Sequence, residues 1–145
     1  MRVGREWIAA HIPHQGAMCL LDEVLEWDEQ HIVCRTRSHR DPANPLRVAG
    51  SLPAACGIEY AAQAMAVHGA LLDAGGAPLG RGFLAGVRAV KLCAPRLDDV
   101  EGDLRVAAAR LSGEADHILY EFSVAGGPGE LVSGRAVVVL DAAGR

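Results

Sequence analysis

The chain has 145 residues, half of them apolar and only 4% aromatic, with a formal net charge of −4. That length suggests one domain, residues 1–145, large enough for a true core. The acidic balance and the lack of any basic block leave no electrostatic footprint for nucleic-acid binding.

Elements follow in order. Residues 5–10 suit a short helical turn, broken by Pro13-His14-Gln15-Gly16. Residues 19–27 and 31–38 alternate in the manner of half-buried strands, separated by an Asp28-Glu29-Gln30 turn. Residues 40–50 carry two prolines, an Asn and an Asp and form a loop. Ser51 is placed to cap a following helix, with Pro53 in its first turn. Residues 54–74 then form one long helix, ended by Gly75-Gly76. Strand-like segments follow at 81–93, 102–111, 117–125 and 131–140, the last two joined by a Gly126-Gly127-Pro128-Gly129 hairpin.

The helix is apolar nearly all round, so it must be buried on most sides. Between Leu52 and Leu72 its only formal charge is Glu59. Glu59, Tyr60, Gln63 and His68 interrupt the apolar run, which therefore falls short of the roughly 20 residues of a membrane span. The N-terminus lacks a signal-type apolar stretch, and the expectation is a cytoplasmic protein that does not engage a membrane. Cysteines 19, 34, 56 and 93 show no zinc spacing and no C-x-x-C pair, so they are expected reduced and buried. No metal site is expected.

Two strands, one buried helix and four strands do not alternate as β-α-β units, which argues against a doubly wound sheet. A single apolar helix is covered if an antiparallel sheet wraps around it. The expected class is α+β: a hotdog fold, a curved antiparallel sheet of about six strands around one long central helix.

Buried without a partner, the Glu59 carboxylate would cost several kcal/mol on rough estimates. It must therefore be paired, for example with Arg47 or Arg88, or be functional. Gln63 stands four residues on, on the same helix face. The first N–H groups of the helix, around Ala54 and Ala55, have no partner within it and can polarise a carbonyl.

Three stretches resemble a known family. Ile12-Pro13-His14-Gln15-Gly16-Ala17-Met18-Cys19-Leu20-Leu21-Asp22-Glu23-Val24 is similar to the N-terminal "L-P-H-R-x-P-x-L-L-x-D-x-V" stretch of 3-hydroxyacyl-acyl-carrier-protein dehydratases. Leu52-Pro53-Ala54-Ala55-Cys56-Gly57-Ile58-Glu59, with Gln63, is similar to their "M-P-G-V-L-x-x-E-A-x-A-Q" helix start. Phe83-Leu84-Ala85-Gly86-Val87-Arg88 is similar to their "Y-L-A-G-I-x" strand. The ordered set resembles most the ApeP-like branch found in aryl-polyene and related fatty-acid-like gene clusters.

The resemblance implies a dehydratase that removes water from a 3-hydroxyacyl thioester carried on the phosphopantetheine of an acyl carrier protein. It implies no further cofactor. It also implies a homodimer or a heterodimer with another hotdog chain, with the site at the interface. Glu59 takes the place of the family's helix acid. Ala54 and Ala55 take that of the thioester-binding helix start, and Gln63 orients the acid or serves the interface.

The family's "G-H-F-P-G" motif puts a histidine fourteen residues before the acid; that place holds Pro45. The base is then His14, His39, or a histidine of a second hotdog chain, with His14 the best candidate within the chain. His11, His31, His68 and His117 read as surface or helix-face residues. Residues 98–103 read as a solvated loop, and Arg81, Arg88, Lys91 and Arg96 as cations able to meet an acidic carrier. Two further readings remain open. One is an acid-donating or non-catalytic subunit of a heterodimeric dehydratase. The other is an acyl thioesterase, in which Glu59 would activate water.

Overall fold

The computed structural model describes residues 3–13, 16–74, 81–114, 116–127 and 129–141. In chain order it has β1 (Val3–Gly4), α1 (Arg5–His11), β2 (Glu23–Trp27), β3 (His31–Thr36), α2 (Gly57–Ala74), β4 (Arg81–Leu92), β5 (Leu104–Gly113), β6 (His117–Gly126) and β7 (Gly129–Asp141). The strands form one antiparallel sheet in the order β1-β2-β3-β5-β6-β7-β4. This is the expected helix-in-sheet architecture. The two-residue β1 makes seven strands, where the sequence reading gave about six.

Alternation along the strands turns one face of the sheet onto α2. Cys34, Val106, Val124 and Val132 stand in register across β3, β5, β6 and β7, and all four are buried. The next inward row is Ile32, Ala108, Phe122 and Gly134. A Cβ at Gly134 would lie 3.0 Å from the Phe122 ring, so the small residue makes room for the large one. On the opposite face Glu121 pairs with Arg135 at 3.8 Å, and Arg88 stands opposite Arg135 on β4.

Against this inner face α2 buries Tyr60, Ala61, Ala64, Val67, His68 and Leu71. Its start is a 3-10 turn over Ala54–Cys56 that runs directly into the helix. No side chain caps it: the Ser51 hydroxyl reaches Asp98 at 3.4 Å instead. The glycine pair 75–76 lies outside the described residues.

Four other expectations need correction. Strand β2 begins at Glu23 rather than at residue 19, because the backbone of Leu20 is claimed by side chains: Gln63 accepts from its N–H, and Thr36 and Ser38 donate to its carbonyl. His39, a candidate base, and His68, read as a surface or helix-face residue, are both fully buried, His68 on the inner face of α2. Asp98 is not part of a solvated loop, since its carboxylate takes the Leu52 N–H at 2.7 Å and a two-pronged contact from Arg96. Cys19 and Cys34 are buried free thiols as expected, but Cys56 is half-buried and Cys93 exposed. Among the described residues no helix is long and apolar enough to cross a membrane.

Candidate active site

Glu59 lies in the first turn of α2, half-buried, at one end of a groove of about 790 Å³. The helix side of the groove runs from Glu59 through Ala62, Ala66, Gly69 and Ala70 to Asp73. Residues 10–13 form one wall, Ile118, Tyr120, Val138 and Leu140 another, and Phe83 and Leu84 the rim. The walls around the carboxyl are mostly apolar.

Gln63 fixes that carboxyl. Its Nε2 donates to Glu59 Oε1 at 3.2 Å and to the Met18 carbonyl at 2.7 Å, while its Oε1 accepts from the Leu20 N–H at 2.9 Å. The amide is fully buried and uses both its donor and its acceptor sides. The two residues are one helical turn apart, which brings their side chains together. Of the proposed structural partners of Glu59, Arg47 is engaged by the carbonyls of Gly50 and His39, and Arg88 lies on the outer face of the sheet.

A second polar network holds the loop before the helix. Asn44 Nδ2 donates to the Tyr60 hydroxyl at 3.0 Å and to the Ser38 carbonyl at 2.9 Å, and Ser38 Oγ lies 2.9 Å from the same hydroxyl. Burial pushes the Tyr60 phenol up. The neighbouring Pro45, where the resemblance puts a base, lines a separate polar cleft of about 540 Å³ with Arg5, Arg37 and Asp22. Pro45 and Glu59 thus line different cavities of one chain.

The two alanines at the helix start differ. The Ala54 N–H is consumed by the Pro95 carbonyl at 3.2 Å, which corrects its reading as a free donor. The Ala55 N–H bonds to no described residue, and Ala55 is exposed. Asp98 stabilises this entry by gripping Leu52. The Arg96 guanidinium holds the Asp98 carboxyl well below the usual carboxylate range, and the Leu52 N–H helps. Arg96, expected as a cation for a carrier, spends its charge on that grip.

Among the histidines, His14 lies outside the described residues. His39 sits in the core, its Nε2 donating to the Val100 carbonyl at 3.0 Å. His11, read as a surface residue, lines the Glu59 groove. Its ring stacks on Trp7 at 3.8 Å, and its Nδ1 lies 2.7 Å from the Trp7 carbonyl. The i, i+4 spacing of Trp7 and His11 was the available signal. His68 lies within the core, its Nε2 donating to the Asp28 carbonyl and its Nδ1 accepting from Tyr120, both at 2.7 Å. Burial pushes the Tyr120 phenol up to about 12.

Among the described residues one group brings three possible metal-ligating atoms within 4.8 Å: Glu114, Asp116 and His117. All three are exposed on the hairpin between β5 and β6, apart from the groove. His117 Nδ1 is already taken by Asp116 at 2.9 Å.

No curated protein matches this sequence. Among solved structures, a chain of the dehydratase heterocomplex ApeI:P from Xenorhabdus doucetiae is 25% identical. The match covers 94% of this chain and 91% of that one, with a TM-score of 0.80. AziG from S. sahachiroi is 17% identical, with 81% and 88% of the two chains covered and a TM-score of 0.56. The PaaI protein of the phenylacetic acid degradation operon of E. coli is 11% identical, with 80% of each chain covered and a TM-score of 0.60. The last two show a shared fold alone. The family model for the ApeP dehydratase matches residues 6–142, and the chain belongs to the ApeP-like dehydratase family.

Proposed function

We propose that the protein removes water from a 3-hydroxyacyl thioester carried on an acyl carrier protein, in a fatty-acid-like or aryl-polyene pathway. The observation that carries this reading is the Glu59 carboxyl, clamped by Gln63 at the end of an otherwise mostly apolar groove. A base takes the proton from C2 of the acyl chain. The electrons of that C–H bond form the C2=C3 double bond as the C3–O bond breaks, and the departing hydroxide takes the proton of Glu59 to leave as water. The Ala55 N–H is the donor suited to the thioester oxygen as charge builds there. These steps use no metal and no dissociable cofactor.

His14 is the proposed base. Its place in the chain supports this. It follows Pro13, which lines the groove, and precedes by four residues Met18, whose carbonyl holds Gln63. The tether from Pro13 to Gly16 spans at most about 11 Å.

A second reading, the acid-donating half of a heterodimer, is favoured by two observations. Pro45 and Glu59 line different cavities, so a base at the position of residue 45 would have to come from another chain. In addition, among the described residues β4 pairs only with β7 and its other edge is open, and Phe83, Leu84, Val87, Val90 and Leu92 on it are all exposed. An exposed apolar edge invites strand pairing. A hotdog partner seated there would also close the groove, whose rim is Phe83 and Leu84.

The test is mass spectrometry of a 3-hydroxyacyl carrier protein after incubation with wild type and His14→Ala, each alone and with a histidine-bearing hotdog partner. Water loss by wild type alone that vanishes in His14→Ala supports the self-sufficient enzyme. Water loss only with the partner, indifferent to His14→Ala, supports the heterodimer. No water loss in any arm contradicts both.

A further inference from the structure

Helix α1 ends on a histidine whose ring is fixed at one nitrogen and unspent at the other. The His11 imidazole stacks on the Trp7 indole at 3.8 Å, with 10° between the ring planes. Its Nδ1 lies 2.7 Å from the Trp7 carbonyl. A carbonyl only accepts, so Nδ1 carries the proton, and in the neutral ring Nε2 is an acceptor. Among the described residues that Nε2 has no partner. An exposed side chain is ordinarily free to turn; His11 is exposed, yet a stack and a hydrogen bond hold it. The ring is thus an acceptor in a set orientation, which is the kind of pre-organisation a binding group uses.

His11 lines the groove that begins at Glu59. The other polar side chains lining that groove are Glu59, Tyr120 and Asp73. The Tyr120 hydroxyl is spent on His68 Nδ1 at 2.7 Å. Asp73 stands at the far end of α2, about 21 Å from Glu59 by helical rise. This leaves two groups to serve one polar atom of a ligand: Glu59, a donor when protonated, and His11 Nε2, an acceptor. A hydroxyl is the group that needs both, since its oxygen accepts while its hydrogen is donated.

We infer that His11 Nε2 accepts the hydrogen bond of the substrate's 3-hydroxyl while Glu59 donates to the same oxygen, so that His11 selects 3-hydroxyacyl chains over saturated ones. The identity of the ligand rests on the dehydratase reading. With the O–H directed at Nε2, a lone pair of the oxygen faces the Glu59 proton. As the C3–O bond breaks, that proton moves to the oxygen, the hydroxyl's own hydrogen stays bonded to Nε2, and the leaving molecule is water. His11 neither gains nor loses a proton, and the C2 proton still goes to the base.

The test takes Glu59→Gln as the parent, with the hotdog partner present, so that a 3-hydroxyacyl ligand is bound without being consumed. Glutamine keeps an N–H for the hydroxyl oxygen. Calorimetry compares a 3-hydroxyacyl-pantetheine thioester with the saturated thioester of equal chain length. The parent is expected to prefer the hydroxylated ligand at least about 5-fold, the worth of one neutral hydrogen bond. His11→Phe keeps an aromatic ring for Trp7 and removes the acceptor. Added to the parent, it is expected to abolish the preference and leave the saturated ligand within about 2-fold. Should His11→Phe fold poorly, His11→Ala is read by the same ratio, because a merely structural loss weakens both ligands alike.

A parent without preference for the hydroxyl overturns the inference. So does a preference that survives removal of the imidazole, or a loss equal for both ligands. Water loss from a 3-hydroxyacyl carrier protein is followed in parallel by mass spectrometry, with Glu59 intact. A preference that depends on His11, without water loss in any arm, upholds the hydroxyl contact and sinks the dehydratase reading. Water loss with a preference indifferent to His11 does the reverse.

Discussion

The Nε2 of Gln63 lies 3.2 Å from Glu59 Oε1 while the same side chain bonds both the Met18 carbonyl and the Leu20 N–H. One amide therefore ties the candidate acid to the segment that leads back to His14. Replacing Gln63 by Leu removes all three bonds and leaves a buried N–H and carbonyl without partners. The expected loss of stability is about 1–3 kcal/mol, read by urea unfolding. Water loss should slow as well, because the carboxyl is no longer oriented. A Gln63→Leu protein with wild-type stability and rate would show that the clamp is incidental.

Acid should destabilise the fold in a window set by two core histidines. Burial is the main cause that pushes His39 and His68 below the ordinary imidazole value. His39 Nε2 donates to Val100, and among the described residues its buried Nδ1 has no hydrogen-bond partner, so burial outweighs what the backbone near Val100 and Gly102 offers a charged ring. With folded values below the unfolded value of about 6.5, the unfolded chain binds more protons under that pH, and the stability difference changes accordingly. The contribution is fully present above about pH 6.5 and is lost as pH falls through the lower folded values. Urea midpoints measured from pH 8 to pH 5 should fall below about 6.5, and less steeply in His39→Gln. A flat profile would contradict the burial of these rings.

The two helix glycines should respond oppositely to alanine. Gly57→Ala pushes a methyl into Val132 and is expected to cost about 1–3 kcal/mol. Gly69→Ala meets open space and is expected to add about 0.5–1 kcal/mol. Thermal melts of the two variants check both signs. Equal effects would mean that α2 sits differently against β7.

Leu84→Lys puts a charge on the open edge of β4. An edge lysine blocks strand addition, so on the heterodimer reading sedimentation of a mixture with the hotdog partner is expected to shift from the complex toward single chains. An unchanged mass would move the contact surface elsewhere.

Much of the fold was legible because it depends on period. The alternation in residues 31–38 and 117–125 and the single apolar run around Glu59 were enough to place a helix inside an antiparallel sheet. The candidate site was legible in part. Glu59 and Gln63 stood out as polar residues in an apolar helix, and their i, i+4 spacing foretold their contact. What stayed hidden depends on pairings distant in sequence, or on backbone groups that a side chain claims. Nothing local marks Leu20 as a backbone serving Gln63, Thr36 and Ser38, so β2 was started too early. The acidic run near Asp98 read as solvated because its order comes from Leu52 and Arg96. The burial of His39 and His68 was not legible because the carbonyls that receive them, Val100 and Asp28, lie far along the chain.

The central claim is that the Glu59 carboxyl supplies the proton that leaves with the hydroxyl. The most direct measurement is the single-turnover rate of water loss from a 3-hydroxyacyl carrier protein, by wild type and Glu59→Gln, each with the hotdog partner present and its folding checked by circular dichroism. Glutamine keeps the shape and the neighbour Gln63 but cannot donate as an acid. The expected result is a slowing of at least about 100-fold, in the range of a lost general acid. A Glu59→Gln protein that turns over at the wild-type rate would contradict the account.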